Sequence, residues 1–351
     1  MLFYKKNLQS IQTLRCIACL LVVFMHIAVT YYDTYHLPFL GNAFNFGGAG
    51  VDIFFVLSGF IITYSNTKSL TKPADIGKYL KKRIIRIFPI YWVIISIFLL
   101  LQVVLPFFYR THFQYTVTNL LNTYLLLPNH TMLNGVSWSL TNELFFYLLF
   151  IVALLIPKKN YILLLFFIYL AFLILFPTVF NIKNTTNNFT FLLLFPMNIE
   201  FLLGIIVVLC IDKLPLKWCI PFLILGIVLF IIAAIFTNNG NFILNNAYNR
   251  VILYGLPSFI IILALVKYEL NNHINIPSLF LKLGDASYSI YLFHLPLVAA
   301  FFKIAFKLHI TNYLVILLLS SGLVIAICYI GITIYNKIEI PLIKWFNKKL
   351  I

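Results

Sequence analysis

Apolar runs alternate with short polar segments along the whole chain, and a run of roughly 18 or more apolar residues predicts a helix able to cross a bilayer. Such runs stand at residues 11–31, 50–64, 84–105, 138–156, 161–180, 191–211, 219–236, 251–266, 287–306 and 313–335, the second being the shortest. A further stretch at 115–128 is apolar but short. The segment 107–135 around it reads as a loop carrying an interfacial or re-entrant helix, an irregularity tolerated where backbone lines a cavity. The Asn-rich stretches 181–188 and 238–249 read as polar turns. No internal repeat, inverted halves or soluble appendage is visible, so the pattern predicts one membrane domain over residues 1–351, with a basic amphipathic tail at 336–351.

Composition removes the soluble alternative. Of 351 residues, 62% are hydrophobic and only 10% charged, with a mean hydropathy of +1.00, where a soluble domain carries about 25% charged residues. Five cysteines (Cys16, Cys19, Cys210, Cys219, Cys328) lie in or beside apolar runs without metal-ligand spacing, so neither a metal site nor a disulfide framework is expected. The first span follows Lys5 and Lys6 but lacks a small-residue cleavage site before Tyr31-Tyr32-Asp33, and is expected to stay attached.

The excess of 25 Lys+Arg over 9 Asp+Glu would point to nucleic acid in a soluble chain. In a membrane chain it marks the cytoplasmic loops, so no nucleic-acid partner is expected. With both termini cytoplasmic, only Arg110, Lys183, Arg250, Lys303 and Lys307 fall outside; the other 20 of 25 fall inside, among them Lys68, Lys72, Lys78, Lys81, Lys82, Lys158, Lys159, Lys213, Lys217 and Lys344. Making 115–128 a span would invert every later loop and leave 14 inside against 11 outside. The expected fold is therefore an all-α integral membrane bundle of about ten transmembrane helices, both termini cytoplasmic.

Charge within hydrocarbon costs roughly 2.5–3.5 kcal/mol per residue on insertion scales, so intramembrane ionisable residues become functional candidates. Arg15 and His26 stand eleven residues apart on the first span, on one helical stripe about 16 Å apart along the axis. A snorkelling arginine and a histidine bonded to a neighbouring carbonyl would be the plainer account. Asp52 follows the glycine-rich Gly47-Gly48-Ala49-Gly50 and is placed to neutralise or orient a cation or an imidazole, unless it merely caps its helix. Arg83 and Arg86, at i and i+3, form a fork suited to phosphate, whereas Lys81 and Lys82 read as anchors to anionic lipid. Ser137, Trp138 and Ser139 open the fourth span as a polar vestibule on the outer side, with Glu143 about 7.5 Å deeper than Trp138. Glu200, and the run Ser287 to Pro296 containing His294, are candidates to line the same cavity; packing explains the Ser/Tyr run equally well. His36, His112, His130, His273 and His309 read as loop residues.

An arginine fork, a stripe leading inward to an imidazole and an outer carboxylate together describe a path from a polyanionic inner ligand to an outer acceptor. Here the sequence resembles acyltransferase family 3, the integral membrane O-acyltransferases. The family's Arg-x10-His signature is matched by Arg15 and His26, and its Arg-x-x-Arg by Arg83 and Arg86. Its Val-Asp-Ile/Phe-Phe-Phe-Val-Leu-Ser-Gly-Phe segment is matched by Val51 to Phe60, Trp-Ser-Leu-x-x-Glu by Trp138 to Glu143, and Ser-Tyr-Ser-Ile-Tyr-Leu-x-His by Ser287 to His294. The resemblance implies a multi-pass protein of the bacterial cytoplasmic (inner) membrane. It would move an acyl group, acetyl by family habit, from cytoplasmic acyl-CoA to a hydroxyl of a surface polysaccharide or lipid-linked saccharide. Arg15, Arg83 and Arg86 would hold the donor, and His26 would act as base or orient the thioester. Asp52 or Glu143 would assist it, the choice staying open. Many relatives carry a C-terminal hydrolase-like domain; this chain resembles the stand-alone members, which leaves both direct transfer and a separate extracellular partner enzyme in play. The competing class is a proton-coupled transporter using Arg15, His26, Asp52, Glu143 and Glu200 as a relay.

Overall fold

A computed structural model describes residues 8–66, 75–105, 113–128, 132–155, 159–179, 188–239 and 246–350. Lys5, Lys6, Lys68, Lys72, Arg110, His112, His130, Lys158 and Lys183 lie outside them. The regular structure of the described residues is all helical, with no strand, as suits a chain surrounded by lipid, where every backbone donor and acceptor must find its partner internally.

In chain order the helices are α1 (Gln9–Tyr35), α2 (Ala49–Ser65), α3 (Ile76–Val104), α4 (Val117–Tyr124), α5 (Trp138–Leu155), α6 (Lys159–Val179), α7 (Asn188–Leu194), α8 (Asn198–Cys210), α9 (Cys219–Asn238), α10 (Ala247–Asn271), α11 (Ser278–Asp285), α12 (Ser287–Lys307) and α13 (Tyr313–Leu350). Among the described residues, eight helices are long and apolar enough to cross a membrane, and two shorter apolar stretches stand at Leu164–Phe176 and Asn198–Cys210. All ten expected runs thus reappear as helices. Two differ in form. The sixth is broken at Phe195-Pro196-Met197 into α7 and α8, because Pro196 has no N–H to continue the ladder. The third begins at Ile76, eight residues before the apolar run, because Asp75 accepts from Lys78 N at 2.8 Å and caps two extra polar turns.

The segment expected to be re-entrant doubles back along α3. Tyr115 Oη donates to Gln102 Oε1 at 2.5 Å, Trp92 Nε1 to the Tyr124 carbonyl at 2.9 Å, and Tyr91 Oη to the Thr123 carbonyl at 2.8 Å. From Gln102 back to Tyr91 is about 16 Å of helix, so the segment from Tyr115 through α4 descends by that depth before α5 starts.

Glycine sets two close crossings of α2. A Cβ on Gly50 would lie 2.2 Å from the Ala18 carbonyl of α1. On Gly59 it would lie 2.0 Å from the Phe201 carbonyl, and Gly204 opposite it is equally tight at 2.1 Å from the Val56 carbonyl. The glycine-rich lead-in to α2 therefore serves backbone contact with α1, one of the uses anticipated for it. The first turn of α1 is capped from another helix: the Glu269 carboxylate of α10 accepts from Gln9 N at 2.7 Å and Ser10 N at 2.9 Å, charge complementing the helix dipole. In α12, Pro296 leaves the Leu292 carbonyl without its helical donor, and Asn134 Nδ2 supplies one at 3.1 Å. That bond pins the approach to α5 against α12.

Candidate functional site

Arg15 of α1, Arg83 and Arg86 of α3, Ser58 of α2, Glu143, Ser139 and Tyr147 of α5, and Ser287, Tyr288 and Tyr291 of α12 line a single cavity of about 150 Å³. Three guanidiniums converging on so small a space would repel one another unless each were partnered, and they are. Arg86 Nη1 meets Glu339 Oε1 at 2.8 Å, and Ser289 Oγ donates to the other oxygen of that fully buried carboxylate at 2.6 Å. Arg83 Nη2 donates to Ser65 Oγ at 3.1 Å, and its guanidinium lies 5.4 Å from the Tyr147 ring centroid and 5.7 Å from that of Tyr79. Arg15 Nη1 donates to Gln12 Oε1 at 3.2 Å. Even so, the Arg83 Nε is buried without an acceptor among the described residues, a donor left for an anion. Asp285, at the end of α11 outside the spans, has its carboxyl pushed up by burial, opposed by the nearby charges of Arg15 and Arg86.

Glu143 does not stand in an outer vestibule. It lines the arginine cavity, accepting at Oε1 from Ser58 Oγ at 2.7 Å and from Tyr147 Oη. The reason is the doubling back of α4: α5 begins deep, so five residues along it reach the arginines. For the same reason Trp138 is not in an outer vestibule; it packs edge-on between Phe55 and Phe195, with centroids 6.1 and 6.0 Å away. Ser137 is buried beside Tyr91 and Thr123, away from the cavity. Ser139 does line it, and exchanges a 2.8 Å hydrogen bond with Tyr291 Oη.

Asp52 does not face His26. Completely buried, it takes Arg250 Nη2 at 2.5 Å and Nε at 3.2 Å, while Arg250 Nη2 also donates to the Gly48 carbonyl at 3.0 Å. Glu200, also completely buried, lies within electrostatic reach of both partners and off the arginine cavity that it was expected to share. Asp52 is thereby committed to a cation and is unavailable to orient an imidazole. Its partner was among the five basic residues on the wrong side of the expected topology, and that violation was the available signal. Glu339 was hidden by its setting, a lone acid in a basic tail. Each of the two ion pairs engages a residue at the edge of a π-helical stretch, Val251–Gly255 after Arg250 and Tyr335–Glu339, the local widening of the helix common at functional positions.

What His26 meets is His294. The two rings are 4.9 Å apart between centroids, and His294 Nε2 lies 3.1 Å from His26 Nδ1. His26 Nδ1 also lies 3.0 Å from the Val22 carbonyl, and His294 Nδ1 is 2.7 Å from the Tyr291 carbonyl. His294 is completely buried, so it is not a vestibule residue. Among the described residues no open tunnel joins arginines to imidazole, because neither histidine lines the cavity. Tyr291 and Phe54 do, their rings 6.0 Å apart, and the Tyr291 ring is 5.8 Å from His294 on the other side.

Against known proteins, residues 8–333 match a family model described as "Acyltransferase domain". The chain is 27% identical over 324 residues, 87% of its own length and 92% of the relative's, to the exopolysaccharide production protein ExoZ of Rhizobium meliloti (strain 1021). No solved structure matches it.

Proposed function

The chain belongs to the acyltransferase family whose domain spans nearly all of it, and from that premise we propose that it carries an acetyl group from cytoplasmic acetyl-CoA to a saccharide hydroxyl on the other side of the bacterial inner membrane. The carrying observation is the convergence of Arg15, Arg83 and Arg86 on one cavity. Guanidiniums match phosphate geometry, and a donor bearing several phosphates is the ligand such a set fits. A saccharide acceptor is favoured by the relative named for exopolysaccharide production.

In this reading the phosphates stay at the arginines while the thioester reaches toward Ser139 and Tyr291. Transfer then requires Tyr291 and Phe54 to move, since they close the cavity on the side of the histidines. His26 takes the proton of the acceptor hydroxyl, the hydroxyl oxygen bonds to the carbonyl carbon, the carbon–sulfur bond breaks, and the imidazolium returns the proton to the departing sulfur.

Membranes holding the protein, supplied with acetyl-CoA labelled in the acetyl group, should place alkali-labile label on extracted polysaccharide. Label confined to water-soluble acetate would reject the acceptor, and no consumption of any acyl-CoA would reject the reaction. Arg83→Ala should weaken acyl-CoA binding by about tenfold or more, the loss of one charged hydrogen-bond donor set. Arg86 calls for a different comparison, because removing it strands Glu339. Arg86→Ala is therefore best measured in a Glu339→Gln background, by titrating acyl-CoA against purified protein. Unchanged affinity in both would reduce the fork to a structural pair.

A further inference from the structure

Four contacts determine where the protons of the two histidines sit. His294 Nδ1 faces the Tyr291 carbonyl at 2.7 Å and the Ile290 carbonyl at 3.3 Å, and His26 Nδ1 faces the Val22 carbonyl at 3.0 Å. A carbonyl oxygen can only accept, so an unprotonated nitrogen in either place would oppose two lone pairs at hydrogen-bond distance. Both Nδ1 atoms therefore carry hydrogen. His294 Nε2, 3.1 Å from His26 Nδ1, is then the acceptor, and the His26 Nδ1–H is shared between it and Val22. Hydrogen on His294 Nε2 would drive it against the hydrogen already on His26. This assignment leaves one lone pair in the pair uncommitted, that on His26 Nε2.

We infer that His294 is the positioning residue of the acyl transfer: it fixes the tautomer in which His26 Nε2 is the base, and it shares the charge when that nitrogen takes the acceptor's proton. The inference rests on the function proposed above. The role is that of the third member of a nucleophile–base–orienter set, filled by a neutral group. The surroundings explain the substitution. A carboxylate beside His26 would add a buried charge to be compensated, as Asp52 is met by Arg250 and Glu339 by Arg86, and a compensating cation there would depress the basicity that His26 needs. An imidazole backed by the Tyr291 carbonyl orients its neighbour without adding charge to hydrocarbon. The carboxylates expected in this role are engaged elsewhere, Asp52 by Arg250 and Glu143 by Ser58 and Tyr147.

Three variants in purified protein test this: His294→Leu, which removes the acceptor; His294→Gln, whose side-chain carbonyl can replace it; and His26→Ala as the reference for loss of the base. His294→Leu should lower kcat by about a hundredfold, with KM for acetyl-CoA unchanged within threefold because His294 is outside the donor cavity. His294→Gln should recover at least tenfold of that loss. Equal impairment of Leu and Gln variants, or a KM rise matching the kcat loss, would reduce His294 to packing. Full activity in His294→Leu would overturn the inference while leaving the proposed function intact, full activity in His26→Ala would overturn it by assigning the base to another residue, and absence of transfer in the parent protein would remove the function itself. Detergent-solubilised yield and melting temperature accompany each measurement; should Leu fail to accumulate, the Gln variant together with His294→Asn, whose shorter amide cannot reach, carries the same comparison.

Discussion

Replacing His26 by alanine should abolish measurable acyl transfer, a loss of roughly 10²–10⁴-fold for removal of a general base, while binding of acyl-CoA stays as in the parent protein. The separation of those two effects follows from the geometry. The arginines, Glu143 and Tyr147 share a cavity that His26 does not line, so truncating the imidazole touches no group proposed to hold the donor. Stability should fall modestly: the buried His294 Nε2 loses its donor, a cost of about 1–3 kcal/mol, partly offset because alanine in the middle of α1 favours the helix. What remains is an acceptor hydroxyl without a base, in a site whose other titratable groups are otherwise engaged. The measurement is single-turnover transfer from labelled acetyl-CoA at equal protein level, beside equilibrium binding of the same donor. Transfer within tenfold of the parent would assign the base to another residue, and Tyr291, which lies between cavity and histidines, would be the next group to examine. A loss of donor affinity instead would mean that the cavity extends past Tyr291 once filled.

Much of this architecture can be read along the chain, because hydrocarbon imposes a simple length rule. Ten apolar runs yield ten apolar helices, and the Arg15–His26 spacing survives because both lie on one uninterrupted helix. The failures share a cause: depth in the membrane accumulates along the chain. Once the segment from Tyr115 through α4 has carried the chain about 16 Å back along α3, everything at the start of α5 moves inward, so Trp138 leaves the interface and Glu143 joins the arginines. Spacing rules see neighbours on one helix. They cannot see that Asp52 meets a cation 198 positions later or that His26 meets an imidazole 268 positions away. In both cases, however, the sequence had marked the partner as anomalous. Arg250 is a basic residue on the side that should lack them, and His294 is a second histidine set in an apolar helix. An isolated polar residue in a span is a request for a partner elsewhere, and pairing the anomalies with one another would have come nearer to the site than assigning each a role alone.

The Asp52–Arg250 pair provides the largest expected effect on stability. Removing one member leaves the other charge buried without compensation, a loss of about 3–5 kcal/mol. Arg250→Leu should be the harsher single change, since Asp52 is fully buried and Glu200 beside it would leave two carboxyls and no cation. Asp52→Leu strands a guanidinium that is 14% exposed and still holds the Gly48 carbonyl, and should cost less. Replacing both with leucine removes both desolvation penalties and should restore much of the parent stability, as buried pairs often permit. Thermal unfolding in detergent, followed by chromatographic retention of the folded peak, reads all three. A double variant less stable than the sum of the singles would mean that the pair does more than neutralise itself. A stable Arg250→Leu protein would place the carboxylate's compensation with another group, and the reading of Asp52 as a structural anchor for α2 would no longer stand.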